Sequence, residues 1–359
     1  MQLRLLNAQV AAEDIEGLKA TLSWLKQRGY VFGEAAQSQI VRLVGEDHAE
    51  AIRSLLISEA EVIEASESIA IVPAEAGLIE SVLAPVDEDL IVVTSITGNA
   101  IHIREGSEWY PFPIAGASDL SGLVSEPDNS MGWAASANLD QSDDPEPLFT
   151  GLIGLRDGFQ NPVLVPAPAS AKALSDLTIG SDATVYASDP TGGGLYRKPV
   201  GATELEVLIE PGTFRSPQGL ALSEDEKLLY VSDYRYGLAF IDLESRTVFR
   251  LTSAVPAILD GVDGLWRYGK RLIAMQNGTA PMRISAFTLS QDGRRIIAVE
   301  TLEQAHSGWT EPLGGSLSGD ALVYVATGQW NRFVMGKPAQ DKPPIPTEIR
   351  RLPLASTSD

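Results

Sequence analysis

The sequence predicts an all-β fold, a six-bladed β-propeller, preceded by a small α-helical segment at the N-terminus. Two observations lead to this prediction. A short strand-forming pattern recurs six times after residue 80, whereas the first 60 residues show apolar side chains at helical spacing. We therefore divide the chain into a helical segment, 1–60, and a propeller, 61–359.

The N-terminal segment has the pattern of amphipathic helices. Ile15, Leu18, Leu22 and Leu25 recur at helical spacing, and two further helical stretches follow up to Ile57. No cluster of catalytic side chains falls here. The segment is interpreted as a helical hairpin or the end of a larger helical array, with a packing or docking role.

Beyond residue 61, short runs of Val, Ile, Leu and Tyr alternate with Gly, Pro, Asp and Asn, which is typical of many short strands. Six segments share a polar or small residue, usually a Gly with an apolar neighbour, then a turn and a β-run. Successive segments begin 41 to 54 residues apart, the period of propeller blades. Their first residues are Glu80, Ser121, Ser175, Gln218, Asp263 and Gly314.

The sixth blade is predicted to borrow a strand from the other end of the propeller. The candidates for this closure are residues 67–73 and 347–354. Two long polar, Pro-rich insertions, 141–173 and 336–346, are predicted to be loops over one face, where such loops often shape a substrate pocket.

Composition excludes several classes of function. The formal net charge of −21 would repel nucleic acid and anionic membranes, so neither is an expected partner. The chain has no Cys and only three His, which leaves oxygen as the main ligand type for any metal. No apolar run could span a bilayer, and no signal-peptide pattern is present. The compartment and the oligomeric state stay open.

The first residues of the six repeats should converge on the propeller axis, because the innermost strand of each blade borders the central channel. Glu80, Asp263 and the carboxamide of Gln218 would then share a small volume. Unpaired buried carboxylates are unfavourable, and a hard divalent cation would compensate for them. The alternative is that these side chains are hydrated turn residues at the channel mouth.

Four of the segments resemble motifs of the gluconolactonase, regucalcin and senescence-marker family of six-bladed propellers. "LIESVLAPVDEDLIVVTSITGNAIHI" is similar to the first-blade motif that contains a metal-binding Glu. "SPQGLALSEDEKLLYVSDYRYGLAFIDL" resembles the blade with an Asn-Gly-Leu motif, and "VDGLWRYGKRLIAMQNG" resembles the blade with an Asp-Gly motif. "SDLTIGSDATVYASD" is similar to the blade that carries a substrate-contacting Asn followed by Asp. The resemblance extends from Ile69 to Leu354.

The resemblance implies a divalent cation held by Glu80, Gln218 and Asp263, with calcium preferred and magnesium, manganese or zinc as alternatives. It also implies substrate contacts in the region of Ser121, Ser175 and Asp176. Two positions depart from the family pattern. Gln218 stands where the ligand Asn is expected, and its oxygen lies one methylene further out; Ser175 stands where the substrate-contacting Asn is expected.

Three functions are compatible with these residues. The first is a metal-dependent hydrolase resembling lactonases, which would open a small lactone or ester in the channel with Asp263 and Glu311 as catalytic residues. The second is a non-catalytic propeller that binds a ligand or a protein and uses the helices for docking. The third is a metal-independent condensing enzyme resembling strictosidine synthase, with Glu311 as its channel acid.

Several other polar and aromatic residues could have either a functional or a purely structural role. His306 lies with Glu311 in "AHSGWTEPLGG" and is a second candidate for proton transfer. Asp189 and Asp233 end strands before turns, where Asp is favoured because it accepts backbone hydrogen bonds. The simplest interpretation of the tryptophans in or near the inner strands is that they line the core or the channel; these are Trp133, Trp266 and Trp330.

Overall fold

The computed structural model describes residues 2–85, 90–139, 149–156 and 162–354. Of the predicted loop 141–173, residues 141–148 and 157–161 lie outside the described part. The prediction of a loop is wrong for residues 151–155 and 163–166, which form the two outer strands of blade 2. Within the described part, the chain begins with four helices and continues as six antiparallel β-sheets arranged as propeller blades. The predicted fold class, a six-bladed propeller after a helical segment, is confirmed.

The helices form a small bundle with a core of its own. Their bounds are α1 Gln2–Ala11, α2 Ile15–Lys26, α3 Glu34–Val44 and α4 Glu46–Leu56. Asp14 caps α2 by accepting a hydrogen bond from the amide of Gly17 at 2.9 Å. Leu18, Leu22 and Leu25, three of the residues that predicted a helix, are fully or almost fully buried in the bundle core.

Strand β1 (Glu67–Val72) follows the bundle, and the first three blades follow β1 in chain order. Each has four strands, and each strand pairs with its neighbour in the sequence. Blade 1 contains β2 Ile79–Leu83, β3 Ile91–Ser95, β4 Ala100–Glu105 and β5 Glu108–Pro113. Blade 2 contains β6 Asp119–Ser125, β7 Gly132–Ala137, β8 Gly151–Leu155 and β9 Val163–Pro166. Blade 3 contains β10 Leu177–Ile179, β11 Val185–Asp189, β12 Gly194–Lys198 and β13 Glu206–Ile209.

Blades 4 and 5 continue the pattern, and blade 5 gains a short parallel strand, β18, at its outer edge. Blade 4 contains β14 Pro217–Leu222, β15 Leu228–Asp233, β16 Gly237–Asp242 and β17 Thr247–Arg250. Blade 5 contains β18 Thr252–Ser253, β19 Leu265–Tyr268, β20 Arg271–Gln276, β21 Arg283–Leu289 and β22 Arg295–Gln304.

Blade 6 joins the two ends of the propeller. It contains β23 Gly315–Ser318, β24 Ala321–Val325 and β27 Thr347–Pro353, and its outermost strand is β1, which pairs antiparallel with β27. The predicted closure between residues 67–73 and 347–354 is thereby confirmed. The insertion before β27 carries a short hairpin, β25 Phe333–Val334 with β26 Lys337–Pro338.

A group of buried polar residues, which we call the closure seam, ties β1 to blades 5 and 6. Its centre is Glu303, which has no exposed surface. One carboxylate oxygen accepts from the amides of Ala65 and Ser66 at 3.1 and 2.9 Å and from the Ser66 hydroxyl at 2.7 Å. The other accepts from the Tyr324 hydroxyl at 2.8 Å. These bonds fix the segment that enters β1, so the seam supports ring closure.

The helical bundle docks against blades 4 and 5. The buried guanidinium of Arg283 donates to the carbonyls of Arg28 and Gly29 at 3.0 and 3.1 Å. The amide of Val31 donates to the carbonyl of Ala280 at 2.7 Å. The bundle is therefore packed on the propeller through specific main-chain contacts. In the part of the chain that the structure describes, no helix combines the length and the apolar character needed to cross a bilayer.

Candidate functional site in the central channel

The innermost strands of all six blades meet at the propeller axis, as the repeat pattern predicts. They surround a cavity of only about 20 Å³, room for roughly one water molecule, so backbone nearly closes the channel here. One or more residues of every blade line it, among them Ser81, Gly122, Asp176, Gly219, Gly264 and Gly314. A side chain at Gly219 would place its Cβ 2.7 Å from the carbonyl oxygen of Asp263, which explains the glycine.

Local irregularities in the inner strands occur at the residues singled out in the sequence. The pairing of β2 with β3 shifts register around Glu80, and the pairing of β14 with β15 shifts around Gln218. The same occurs at Ser121 in blade 2. A β-bulge redirects the bulged side chain, and bulges are frequent next to functional sites.

Main-chain hydrogen bonds connect neighbouring blades at these positions. In each bond the amide of a glycine on one inner strand donates to the carbonyl of the repeat's first residue in the next blade. The bonds are Gly314 N to Glu80 O at 3.1 Å, Gly122 N to Ser175 O at 2.9 Å and Gly219 N to Asp263 O at 2.7 Å. They fix the backbone of the channel residues.

Four carboxylates, the channel acids, interact electrostatically at the channel mouth: Glu80, Asp176, Asp263 and Glu311. Burial and then the charge of Asp263 raise the pKa of both Glu80 and Asp176 well above their ordinary values. Burial and then the charge of Glu311 raise the pKa of Asp263 to about 7, and burial raises that of Glu311. The mouth is therefore a region of strong negative potential.

Neutral donors hold two of the channel acids. The indole Nε1 of Trp330 donates to Oε2 of Glu80 at 3.0 Å. The side-chain nitrogen of Asn277 donates to Oδ2 of Asp263 at 2.9 Å, and the Tyr234 hydroxyl donates to the oxygen of Asn277 at 2.8 Å. These contacts orient each carboxylate without neutralising its charge.

The remaining carboxylate oxygens are available to a ligand. Within the described ranges, Oε1 of Glu80, Oδ1 of Asp263 and both carboxylate oxygens of Asp176 accept no hydrogen bond. All three side chains are half-buried, so they remain partly accessible. Electronegative potential together with unengaged oxygens fits a hard divalent cation.

The arrangement also limits how such a cation would be held. Among the described residues, no three His, Asp or Glu side chains form a group that could ligate one ion. Two carboxylates would have to be completed by neutral oxygens. Gln218 is the residue of the repeat register with a neutral side-chain oxygen, and its side-chain nitrogen donates to the Ser216 hydroxyl at 3.2 Å. The residues present thus fit a cation of mixed carboxylate and neutral oxygen ligation.

The residues predicted to contact substrate have different surroundings. Ser121 has no exposed surface, and its hydroxyl donates to the carbonyl of Ser175 at 3.1 Å, so it joins blades 2 and 3 and is inaccessible to a substrate. Ser175 is half-buried, and its amide donates to the carbonyl of Ser188. Asp176 is the blade 3 residue whose charge raises the pKa of Glu80 and whose own pKa is raised by burial and then by the charge of Asp263.

Glu311 and His306, neighbours in the sequence, lie in different environments. Glu311 is half-buried and forms a parallel β-bridge with Thr327. It is itself one of the channel acids, and its charge raises the pKa of Glu80 and Asp263. His306 belongs to the closure seam, where its ring stacks on Trp309 at 5.7 Å and its Nδ1 accepts from the Gly308 amide at 2.9 Å. These contacts give His306 a structural setting and leave Glu311 as the candidate for proton transfer.

The prediction that Asp189 and Asp233 are structural is confirmed by their contacts. The carboxylate of Asp189, which has no exposed surface, accepts from three backbone amides, among them that of Gly192 at 2.6 Å. Asp233 accepts from the amides of Arg215 and Ser216. Both hold turns at strand ends.

Sequence reasoning missed Asn277 and Tyr234, and it placed Trp330 on the channel wall without a specific role. Asn277 follows β20, and Tyr234 follows β15, so both occupy the position just after the second strand of a blade. That equivalence was visible in the repeat alignment. The contact of Trp330 with Glu80 was not, because 250 residues separate the two in the chain.

Comparison with known proteins supports the fold. No family model matches the chain, and no curated protein matches its sequence. A gluconolactonase from Xanthomonas campestris superposes with a TM-score of 0.53 at 14% identity, covering 83% of this chain and 99% of that one. A calcium-binding regucalcin from Agrobacterium tumefaciens gives a TM-score of 0.51 at 13% identity, covering 80% and 97%.

A selenomethionine-substituted virginiamycin B lyase from Staphylococcus aureus is about as similar. Its TM-score is 0.51 at 13% identity, with 81% of this chain and all of that chain covered. At such low identity the similarity establishes the six-bladed propeller shared with gluconolactonases and regucalcin. Because a lyase shares it too, activity has to be argued from the site.

Proposed function

We propose that this protein is a divalent-cation-dependent hydrolase that opens a small lactone or ester at the mouth of the central channel. The observation that carries the proposal is the convergence of Glu80, Asp176, Asp263 and Glu311, which leaves carboxylate oxygens without protein partners. The gluconolactonase and regucalcin structures, which share the fold, support the same class of activity.

In this proposal Glu80, Asp263 and Gln218 hold the cation, with calcium as the first choice for oxygen ligands. When bound, the cation polarises the substrate carbonyl and lowers the pKa of a water molecule. Trp330 fixes Oε2 of Glu80 and Asn277 fixes Oδ2 of Asp263, so the opposite oxygen of each carboxylate would be left for the cation.

Glu311 is the proposed proton acceptor. Burial raises the pKa of its carboxyl, and a general base works best when its pKa approaches the working pH. Asp176 contributes a further carboxylate from blade 3. Ser121 has no direct role, since its hydroxyl is engaged between blades.

The test combines cation binding with hydrolysis. Calorimetric titration with calcium, magnesium, manganese and zinc should detect saturable binding to the chelated protein, and a panel of small lactones and esters should be hydrolysed only when the cation is present. Asp263→Asn and Glu80→Gln should lose both properties. Asp320→Asn, at a side chain that is 75% exposed, is the matched control.

Two other outcomes would favour the alternative functions. Cation binding without turnover of any lactone or ester would indicate a ligand-binding propeller. The presence of Gln218 where the resembling family has a ligand Asn favours this alternative. Turnover that survives chelation but is lost in Glu311→Gln would indicate a metal-independent channel acid. Absence of cation binding below the millimolar range would refute the proposed hydrolase.

A further inference from the structure

A second cavity lies between the helical bundle and the propeller. Its volume is about 160 Å³. The bundle contributes Leu3, Trp24 and Tyr30 to its wall, and the propeller contributes Tyr236, Leu251 and Leu259. Aromatic and aliphatic side chains therefore surround it from both sides.

Four residues with polar side chains, Gln2, Arg250, Asp260 and Thr279, also line the cavity, and two of them have hydrogen bonds within the protein. The Thr279 hydroxyl donates to the carbonyls of Gln276 and Pro281 at 3.0 and 2.9 Å. The guanidinium of Arg250 donates to the carbonyl of Tyr236. Most of the lining surface is nevertheless apolar, which favours an uncharged, apolar ligand.

Defined contacts hold the two walls in place. The guanidinium carbon of Arg4 on α1 lies 3.9 Å from the ring centre of Tyr236. Arg283 and Ala280 bind the loop after α2, as described above. The cavity is thus a fixed space between two docked units.

We propose that this cavity is a binding site for a small uncharged aromatic molecule. Its volume is close to that of apolar cavities of about 150 Å³ that stay dry and accept a benzene-sized guest. Three aromatic rings, those of Trp24, Tyr30 and Tyr236, provide surfaces for stacking or edge contacts. The site is independent of the proposed hydrolase activity.

Indole is the probe for the test, by calorimetry and by the thermal midpoint of unfolding. The unaltered protein should bind it saturably with Kd below about 1 mM and unfold at a higher temperature, because the ligand binds only the folded state. Ala257→Leu, at a residue that lines the cavity, should weaken binding at least tenfold by filling the space. Ala254→Leu, at an exposed residue of the same loop, should leave binding unchanged.

Further variants keep the test decisive. If Ala257→Leu loosens the bundle, Ala257→Val fills less space and should still weaken binding measurably. Asp263→Asn should bind indole normally, which separates this site from the channel. Absence of saturable binding, equal binding by the Ala257 and Ala254 variants, or loss of binding in Asp263→Asn would overturn the proposal.

Discussion

Glu303 at the closure seam and Asp263 at the channel mouth are both carboxylates withdrawn from bulk water, but they have different partners. Four donors satisfy Glu303, from two amides and two hydroxyl groups. Asp263 receives one side-chain donor, from Asn277, and faces the charge of Glu311. A fully satisfied carboxylate stabilises the fold, whereas a repelled one is available to a cation or a proton.

Removing the satisfied carboxylate should have the largest effect on stability. Glu303→Ala leaves the amides of Ala65 and Ser66 and the Tyr324 hydroxyl without their acceptor. Because each orphaned buried donor costs about 1–3 kcal/mol, we expect the free energy of unfolding to fall by at least about 3 kcal/mol in denaturant titrations. Glu16→Gln, at a side chain that is 85% exposed, is the control and should change stability by less than about 0.5 kcal/mol.

Removing the repelled carboxylate should have the opposite effect on stability and a large effect on binding. In chelator at pH 8, Asp263→Asn relieves repulsion with Glu311, so its thermal midpoint should exceed that of the unaltered protein. Cation affinity should fall at least a hundredfold by calorimetry. A destabilised Asp263→Asn variant in chelator would contradict the comparison, because it would show that the negative charge supports the fold.

The dependence of stability on pH should show a contribution from the repelled carboxylate, Asp263. The folded-state pKa of Asp263, about 7, lies above its ordinary value of 3.8, so the folded protein binds more protons between these values. Without cation, the stabilisation is complete below pH 3.8 and is lost as the pH rises towards and through 7. Thermal midpoints in chelator should decline over this window, and the decline should shrink in Asp263→Asn. An identical decline in that variant would exclude Asp263 as the source.

The smallest expected effect concerns the orientation of Glu80. In the unaltered protein, the hydrogen bond from Trp330 to Oε2 lowers the pKa of the Glu80 carboxyl. Trp330→Phe keeps an aromatic ring but removes this hydrogen bond. Cation affinity should fall about five- to tenfold, which corresponds to the net contribution of about 1 kcal/mol that one typical hydrogen bond makes. Trp109→Phe, which loses a hydrogen bond to the carbonyl of Ile71, is the matched control and should bind the cation normally. Unchanged affinity in Trp330→Phe would show that the indole has only a packing role.

The repeat pattern was sufficient to predict the blades, their closure, the inner-strand positions of Glu80 and Gln218, and the position of Asp263 just before an inner strand. Each of these features depends on strand periodicity and on turn residues that lie within one blade, which neighbouring residues encode. Where interaction partners come from another blade, their identity could not be predicted from the repeat pattern. Ser121 was expected at the substrate, but its hydroxyl bonds to blade 3.

By itself, then, the sequence determined that the chain forms a six-bladed propeller after a helical segment, with acidic residues at the channel. Only the tertiary structure decided that Asp176 and Glu311 join Glu80 and Asp263 in one electrostatic cluster, and that Trp330 reaches Glu80. It also decided where the bundle docks and what cavity this leaves. The physical reason is that periodicity is local, whereas electrostatic and packing partners depend on distances set by the closed ring.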